Sequence, residues 1–243
     1  MKRMLLTISY DGTAYHGWQV QPNGITVQQT LQDALEKLMG KRVAVSGCSR
    51  TDAGVHARMF CCHIDCEEHF PQNAFTKGLN SLLPDDITVI DCHEVPFNFH
   101  ARYNAKGKKY IYYMYTGVPN PFNSRYMLYL DKMPNVDLMN KFCDGIIGTH
   151  DFAAFSCSKR TVEDTVRTIT ECFVKQDGNT IKFEITGDGF LYNMVRILAG
   201  TALAVGQKRL PYDCYVDIFK ENDRSKAGDT LPAPALFLDE VYY

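Results

Sequence analysis

The 243-residue chain reads as an α+β protein built on a largely antiparallel sheet. Three observations point there. Apolar residues recur at helical spacing in some segments (Val27, Leu31, Leu35, Leu38) and alternate with period two in others. The two patterns are interleaved along the chain instead of alternating as strict βαβ units. Asp177-Gly178-Asn179 separates two strand-like runs, a turn signal that pairs neighbouring strands antiparallel.

Met4 to Tyr10 opens the chain as a strand. Thr26-Val27-Gln28-Gln29 has a capping-box pattern and starts a helix. Val43 to Cys48 and Met59 to Ile64 are expected as strands flanking a glycine-punctuated loop, Arg50 to Ala57. Pro71 opens a short helix running through Leu83, and Ile87 to Val95 is a further strand. Lys109 to Tyr115 is strand-like. Asn135 to Ile147 is a helix that turns Leu138, Met139, Phe142, Cys143 and Ile146 inward. Thr165 to Val174 and Thr180 to Thr186 form the hairpin. Leu191 to Val205 and Tyr212 to Asn222 are helices, and Leu236 to Tyr242 is a closing strand. The alternation divides into two similar α+β halves, 1–104 and 105–243, with the boundary in the basic stretch around residues 100–108.

Composition limits the function classes. Apolar residues make up 45% and charged residues 22% of the chain, as in ordinary globular proteins. The start, MKRMLLTISYDG, turns polar too soon for a signal peptide. The longest apolar stretch, Phe190 to Gly206, contains Asn193 and Arg196 and is short for a membrane span, so it reads as a buried helix. Nine cysteines at irregular spacing fit unpaired thiols in a reducing cytoplasm. Cys62, His63, Cys66 and His69 form the densest ligand-type cluster. A zinc site there competes with a strand whose side chains alternate between faces.

The net charge of −2 argues weakly against a nucleic-acid partner, but phosphate binding needs only a local positive stripe. Basic residues do cluster: Lys41-Arg42, Arg50 with Arg58, Arg102 through Lys106 to Lys109, Lys159-Arg160 and Lys208-Arg209. Each pair alone is equally a solvated turn.

The densest chemistry lies in Gly47-Cys48-Ser49-Arg50-Thr51-Asp52-Ala53-Gly54-Val55-His56-Ala57. A strand leads into a tight polar loop that holds one carboxylate between Arg50 and His56, and a second strand follows. Gly54 permits a backbone angle that other residues resist, and loops held by rigid strands are frequent seats of catalysis. A turn in which Asp52 bonds its own backbone is the competing reading.

Arg50 to Ala57 resembles the active-site motif of the TruA family of tRNA pseudouridine synthases. Further family-like segments follow the same order. They are Tyr10-Asp11-Gly12-Thr13 with Gly17-Trp18-Gln19, Thr26-Val27-Gln28, Phe99-His100-Ala101-Arg102 and Lys109-Tyr110-Ile111-Tyr112. Then come Gly148 to Phe152, Arg167-Thr168-Ile169, Gly189 to Arg196, Ala233-Pro234-Ala235 and Val241-Tyr242. The resemblance spans almost the whole chain. It departs at Gly47-Cys48-Ser49, where the family more often has glycine, alanine or serine.

The resemblance implies the pseudouridine-synthase fold, with a cleft between the halves, and isomerisation of uridine in the anticodon stem-loop of tRNA at positions 38 to 40. That reaction needs no cofactor and no metal. It implies Asp52 as the catalytic carboxylate, acting at C1′, at the base or on a sugar proton. It places Tyr110 against the flipped uracil and assigns Arg50 to the extruded nucleotide or its phosphate. Arg196 becomes the cation that keeps Asp52 charged and oriented. That role matches its position as the only charge in an otherwise apolar helix, where a buried guanidinium needs an acidic partner; a snorkelling side chain is the alternative. Without the resemblance, Tyr110 reads as a core or sheet-surface aromatic. His56 reads as a loop-ordering residue. The family also implies a cytoplasmic homodimer with tRNA as partner and no membrane association. The alternatives are a synthase of this fold acting on another RNA and a non-catalytic RNA-binding relative.

Overall fold

A computed structural model describes residues 1–67, 71–157 and 163–243. The chain packs as two compact units, Met1–Lys106 with Phe237–Tyr243, and Gly107–Leu236. Both combine helices with antiparallel sheet, so the α+β class expected from sequence holds. No helix among the described residues is long and apolar enough to cross a membrane.

In the first unit, β1 (Lys2–Tyr10) is followed by α1 (Val27–Met39). Thr26 caps that helix by accepting the Gln29 N–H at 3.3 Å, and Gly40 ends it in a left-handed conformation with φ of 73°. Val27, Leu31, Ala34, Leu35 and Met39 are buried. Leu38 is only half-buried, so the apolar stripe ends on Met39 instead.

The strand expected over Val43 to Cys48 shrinks to β2 (Ser46–Gly47). The cause is local. The Gln32 and Gln28 side-chain amides donate to the Val43 and Val45 carbonyls at 3.2 and 2.9 Å, taking acceptors that a sheet partner would use. β3 (His56–Cys66) and β4 (Ile87–Val95) complete the unit with the terminal strand Leu236–Tyr242. β1 lies between β4 and β3, antiparallel to both, and β2 pairs antiparallel with β3. The terminal strand pairs in parallel with the start of β3, Phe237 opposite His56 and Leu238 opposite Ala57. The segment after Pro71 is helical with a π-helical turn over Ala74–Gly78.

In the second unit, β5 (Gly107–Thr116) and β6 (Leu128–Leu130) pair in parallel. Next come α2 (Val136–Gly145), capped by Asn135, and β7 (Gly148–Asp151). β8 (Val166–Asp177) and β9 (Thr180–Gly187) form the hairpin. The order β5-β9-β8-β7 is antiparallel throughout. α3 (Met194–Gly206) and α4 (Cys214–Glu221) close the unit. α3 is buried along almost its whole length, as its composition dictates.

Candidate active site

Asp52 sits on the turn that feeds β3. The turn closes through the Val55 N–H donating to the Asp52 carbonyl at 3.1 Å, with Gly54 at φ 79°. Asp52 is half-buried, Thr51 before it is buried, and Ala53 after it is exposed. The Arg50–Val55 segment is therefore a rigid pedestal with one carboxylate at its rim, and His56 and Ala57 of the expected loop already belong to β3.

The residues around the first turn of the chain hold this pedestal from behind. The Tyr10 hydroxyl lies 2.8 Å from Thr51 Oγ1. The Trp18 N–H donates to the Thr51 carbonyl at 3.2 Å, and the Gly54 N–H donates to the Tyr15 carbonyl at 3.3 Å. The Tyr15 hydroxyl donates to Asp86 at 2.6 Å; burial first, and then that bond, push its pKa up. Gly17 has φ of 82°, and a Cβ there would overlap the Thr51 carbonyl oxygen and lie 3.1 Å from the Asp52 carbonyl carbon. Gly12 is equally tight against the Val55 carbonyl. Underneath, Phe60 packs against Trp18 with ring centroids 4.1 Å apart and against Tyr10 at 5.7 Å.

Position-by-position reading of the sequence missed this clamp of Tyr10, Tyr15, Gly17 and Trp18. The available signal was the Tyr10-Asp11-Gly12-Thr13 and Gly17-Trp18-Gln19 segments.

His56 is only 1% exposed and its ring stacks on Phe237 at 4.6 Å. Its Nδ1 lies 3.0 Å from both the Gly12 N–H nitrogen and Asp11 Oδ1. An unprotonated Nδ1 accepts from Gly12, and a protonated one donates to Asp11. In either form the ring ties β3 to the segment after β1.

Arg50 is exposed, and among the described residues no carboxylate lies within ion-pair distance of it. Arg58 pairs with Asp239 at 3.1 Å.

In the second unit, β5 places Tyr110 and Tyr112 on one face, opposite Ile185 and Phe183 of β9. Tyr110 is buried and meets Phe190 edge-on, centroids 5.2 Å apart. The Tyr112 hydroxyl donates to the Pro232 carbonyl at 2.8 Å, and burial pushes that phenol's pKa up.

Arg196 stands half-buried in the first turn of α3. Its Nε donates to the Leu231 carbonyl at 2.6 Å and its Nη1 to Asn193 Oδ1 at 2.7 Å. Asn193 itself adopts φ of 61°, a left-handed conformation that asparagine tolerates better than most residues. These two acceptors are neutral oxygens, and together they fix the plane of the guanidinium.

Not all of the basic clusters are available to a polyanion. Lys41 pairs with Glu67, and Arg42 with Asp33 and Glu36. Arg209 lies 3.7 Å from Asp229. Lys159 and Arg160 lie outside the described residues.

In the metal-type cluster, Cys62 and His63 are adjacent on β3 and so face opposite sides of the sheet. His63 Nδ1 accepts the Ala101 N–H at 3.1 Å. Among the described residues no three His, Cys, Asp or Glu side chains converge as a metal would require. His69 lies outside those residues.

With the pedestal and the anchored guanidinium in place, the chain belongs to the tRNA pseudouridine synthase family. The family model matches residues 6–104 and 143–243, on both sides of the Asp52 turn and through α3. Two relatives are each named tRNA pseudouridine synthase A. The chain is 46% identical to the one from Clostridium kluyveri and 47% identical to the one from Ruminiclostridium cellulolyticum, covering 100% of both proteins in each case. A solved archaeal box H/ACA sRNP Nop10-Cbf5 complex is also similar, with a TM-score of 0.34 and 11% identity over 95% of this chain and 58% of that one.

Proposed function

We propose that this chain isomerises uridine to pseudouridine at positions 38 to 40 of tRNA, in the anticodon stem-loop, with Asp52 as the essential carboxylate. The observation that carries the proposal is a half-buried carboxylate on a turn held by the Tyr10–Trp18 segment, within a chain whose family match runs through that turn.

The reaction breaks the N1–C1′ bond, turns the base, joins C1′ to C5, releases the C5 proton and returns a proton to N1. The formula is unchanged, so no oxidant or energy source enters. Attack at C1′, attack at the base and removal of a sugar proton all need a charged, oriented carboxylate; carboxylates serve comparable glycosidic chemistry elsewhere. Arg196 supplies the cation that favours the ionised form. Tyr110 packs on the extruded uracil, where stacking contributes about 1–3 kcal/mol against the few kcal/mol of unstacking. Arg50, exposed beside Asp52 in sequence, holds the nucleotide or its phosphate.

Folded RNA is recognised largely by shape, which suits a chain of net charge −2 better than a sequence-reading surface would. The working form is a homodimer whose two subunits share the RNA. Nine cysteines, all unpaired, suit the reducing cytoplasm.

The test is tritium release from tRNA carrying C5-labelled uridine, with pseudouridine mapped afterwards. Wild type should release label from positions 38 to 40, and Asp52→Asn should bind tRNA with no turnover. Full activity in Asp52→Asn removes Asp52 from the mechanism. Release from another RNA but not from tRNA overturns the substrate. Sedimentation at micromolar concentration tests the dimer.

A further inference from the structure

The Phe99-His100-Ala101-Arg102 segment has no part in the chemistry above, yet it is held with unusual rigidity. The turn from His100 to Asn104 is bonded in both directions. The Asn104 N–H donates to the His100 carbonyl at 3.0 Å, and the His100 N–H donates to Asn104 Oδ1 at 2.7 Å. His100 Nδ1 accepts the Arg102 and Tyr103 N–H groups at 3.1 and 3.4 Å.

Three further bonds fix the turn to the sheet. Ala101 N–H donates to His63 Nδ1, the Tyr243 hydroxyl donates to the Ala101 carbonyl at 2.8 Å, and Arg3 donates to the Phe99 carbonyl at 2.7 Å. Arg3 is in turn held by both oxygens of Asp65 at 2.7 and 2.8 Å.

This scaffold presents Tyr103 to solvent with 77% of its surface exposed. One face of its ring is backed by the His100 imidazole, centroids 4.3 Å apart, and His100 is buttressed edge-on by His63 at 4.7 Å. The Arg102 guanidinium lies 5.9 Å from the Tyr103 ring. Arg102 is exposed, and among the described residues no carboxylate lies within ion-pair distance of it; exposed Lys106 follows. A large aromatic ring kept in water, stiffened from behind and flanked by uncompensated positive charge, has the chemistry of a base-stacking site.

We propose that Tyr103 is a stacking platform for an unpaired nucleobase of the substrate tRNA, with Arg102 engaging the adjoining phosphate. This rests on the functional reading above and extends it to a second contact. β3 runs from His56, just after the Asp52 turn, to His63 beneath Tyr103. Seven strand residues span about 23 Å, so the base held here is not the one being isomerised. The platform therefore acts on binding and not on the chemical step.

The test uses the intact protein with full-length tRNA. Tyr103→Ala should raise KM and Kd for tRNA about tenfold, the lower part of the range for losing one stacked base, with kcat within about twofold. Tyr103→Trp should restore KM. Trp18 is the one native tryptophan and is buried, so the emission added by the exposed indole is read by difference against wild type, and that added emission should be quenched by saturating tRNA. Arg102→Gln should lower the slope of log K against log salt by about one.

Unchanged KM and Kd in Tyr103→Ala, or unquenched emission in Tyr103→Trp at saturating tRNA, overturns the platform. So does a fall in kcat beyond about twofold, or a change in sedimentation of Tyr103→Ala, which would assign the ring to a contact between copies. A wild-type protein that neither binds nor modifies tRNA overturns the functional reading first.

Discussion

The Tyr10 hydroxyl meets Thr51 Oγ1 at 2.8 Å, with both side chains buried, so the first strand is tied to the residue that immediately precedes Asp52. Tyr10→Phe deletes that bond and leaves Thr51 with a weakened set of partners in a dry site. The expected cost is about 1–2 kcal/mol in urea unfolding. Because the lost bond positions the carboxylate, kcat for tRNA should fall several-fold while KM changes little. A Tyr10→Phe protein with wild-type kcat would separate the clamp from catalysis.

Gly17 and Gly40 share a left-handed backbone, with φ of 82° and 73°, but differ in what surrounds them. A methyl at Gly40 meets nothing within 4 Å; a methyl at Gly17 runs into the Thr51 and Asp52 backbone. Gly40→Ala should therefore cost about 1 kcal/mol of stability, the strain of the conformation alone, and leave turnover intact. Gly17→Ala should cost more and lower kcat at least about tenfold, since a displacement of the carboxylate by a fraction of an ångström degrades orientation. Equal activities in the two variants would show that the Asp52 turn tolerates movement.

His63 must stay neutral to accept the Ala101 N–H. Burial first, then the charge of Arg3, lower its pKa from 6.5 to about 4. Asp65 and His100 are the other titratable groups facing it. Between pH 6.5 and 4 the unfolded chain binds a proton at His63 that the folded chain does not. Stability therefore falls as pH drops through that window and levels off below it. Asp65, held below the usual carboxylate range chiefly by its hydrogen bond to Arg3, contributes a further loss at lower pH. His63→Asn keeps an acceptor for Ala101 and should flatten the urea midpoint between pH 6.5 and 4.5. A slope identical to wild type would place the titration elsewhere.

The sequence pattern carried the strands and helices well because most obey period two or period 3.6 over seven or more residues. It failed where side chains replaced backbone partners. Val43 to Cys48 has the composition of a strand, but Gln28 and Gln32 occupy its carbonyls, and no local pattern announces that. β6 and β7 are three and four residues long, too short to show a period. Asp52 was legible as a carboxylate on a tight loop, and Arg196 as a charge stranded in an apolar helix. What lay beyond reading was their support: Tyr10 is 41 residues from Thr51, and Leu231 is 35 from Arg196. Such separations become contacts only once the fold exists. Tyr103 was invisible for the converse reason, because exposure leaves no periodic trace.

Arg196 illustrates how support decides chemistry. Its guanidinium is held at two points, through Nε to Leu231 and through Nη1 to Asn193. Lysine carries the same charge on a single flexible ammonium and cannot occupy both acceptors in one plane. Arg196→Lys should therefore behave unlike a conservative change. It strands one acceptor at the start of α3, with an expected loss of about 1–3 kcal/mol on unfolding. On the proposed role of Arg196 as the cation that orients Asp52, turnover should fall at least about a hundredfold, because a positive charge that wanders no longer favours one orientation. Asn193→Ala removes only the Nη1 anchor and should give an intermediate kcat with unchanged net charge. If Arg196→Lys keeps near-wild-type kcat, charge alone suffices and the two-point anchoring is structural.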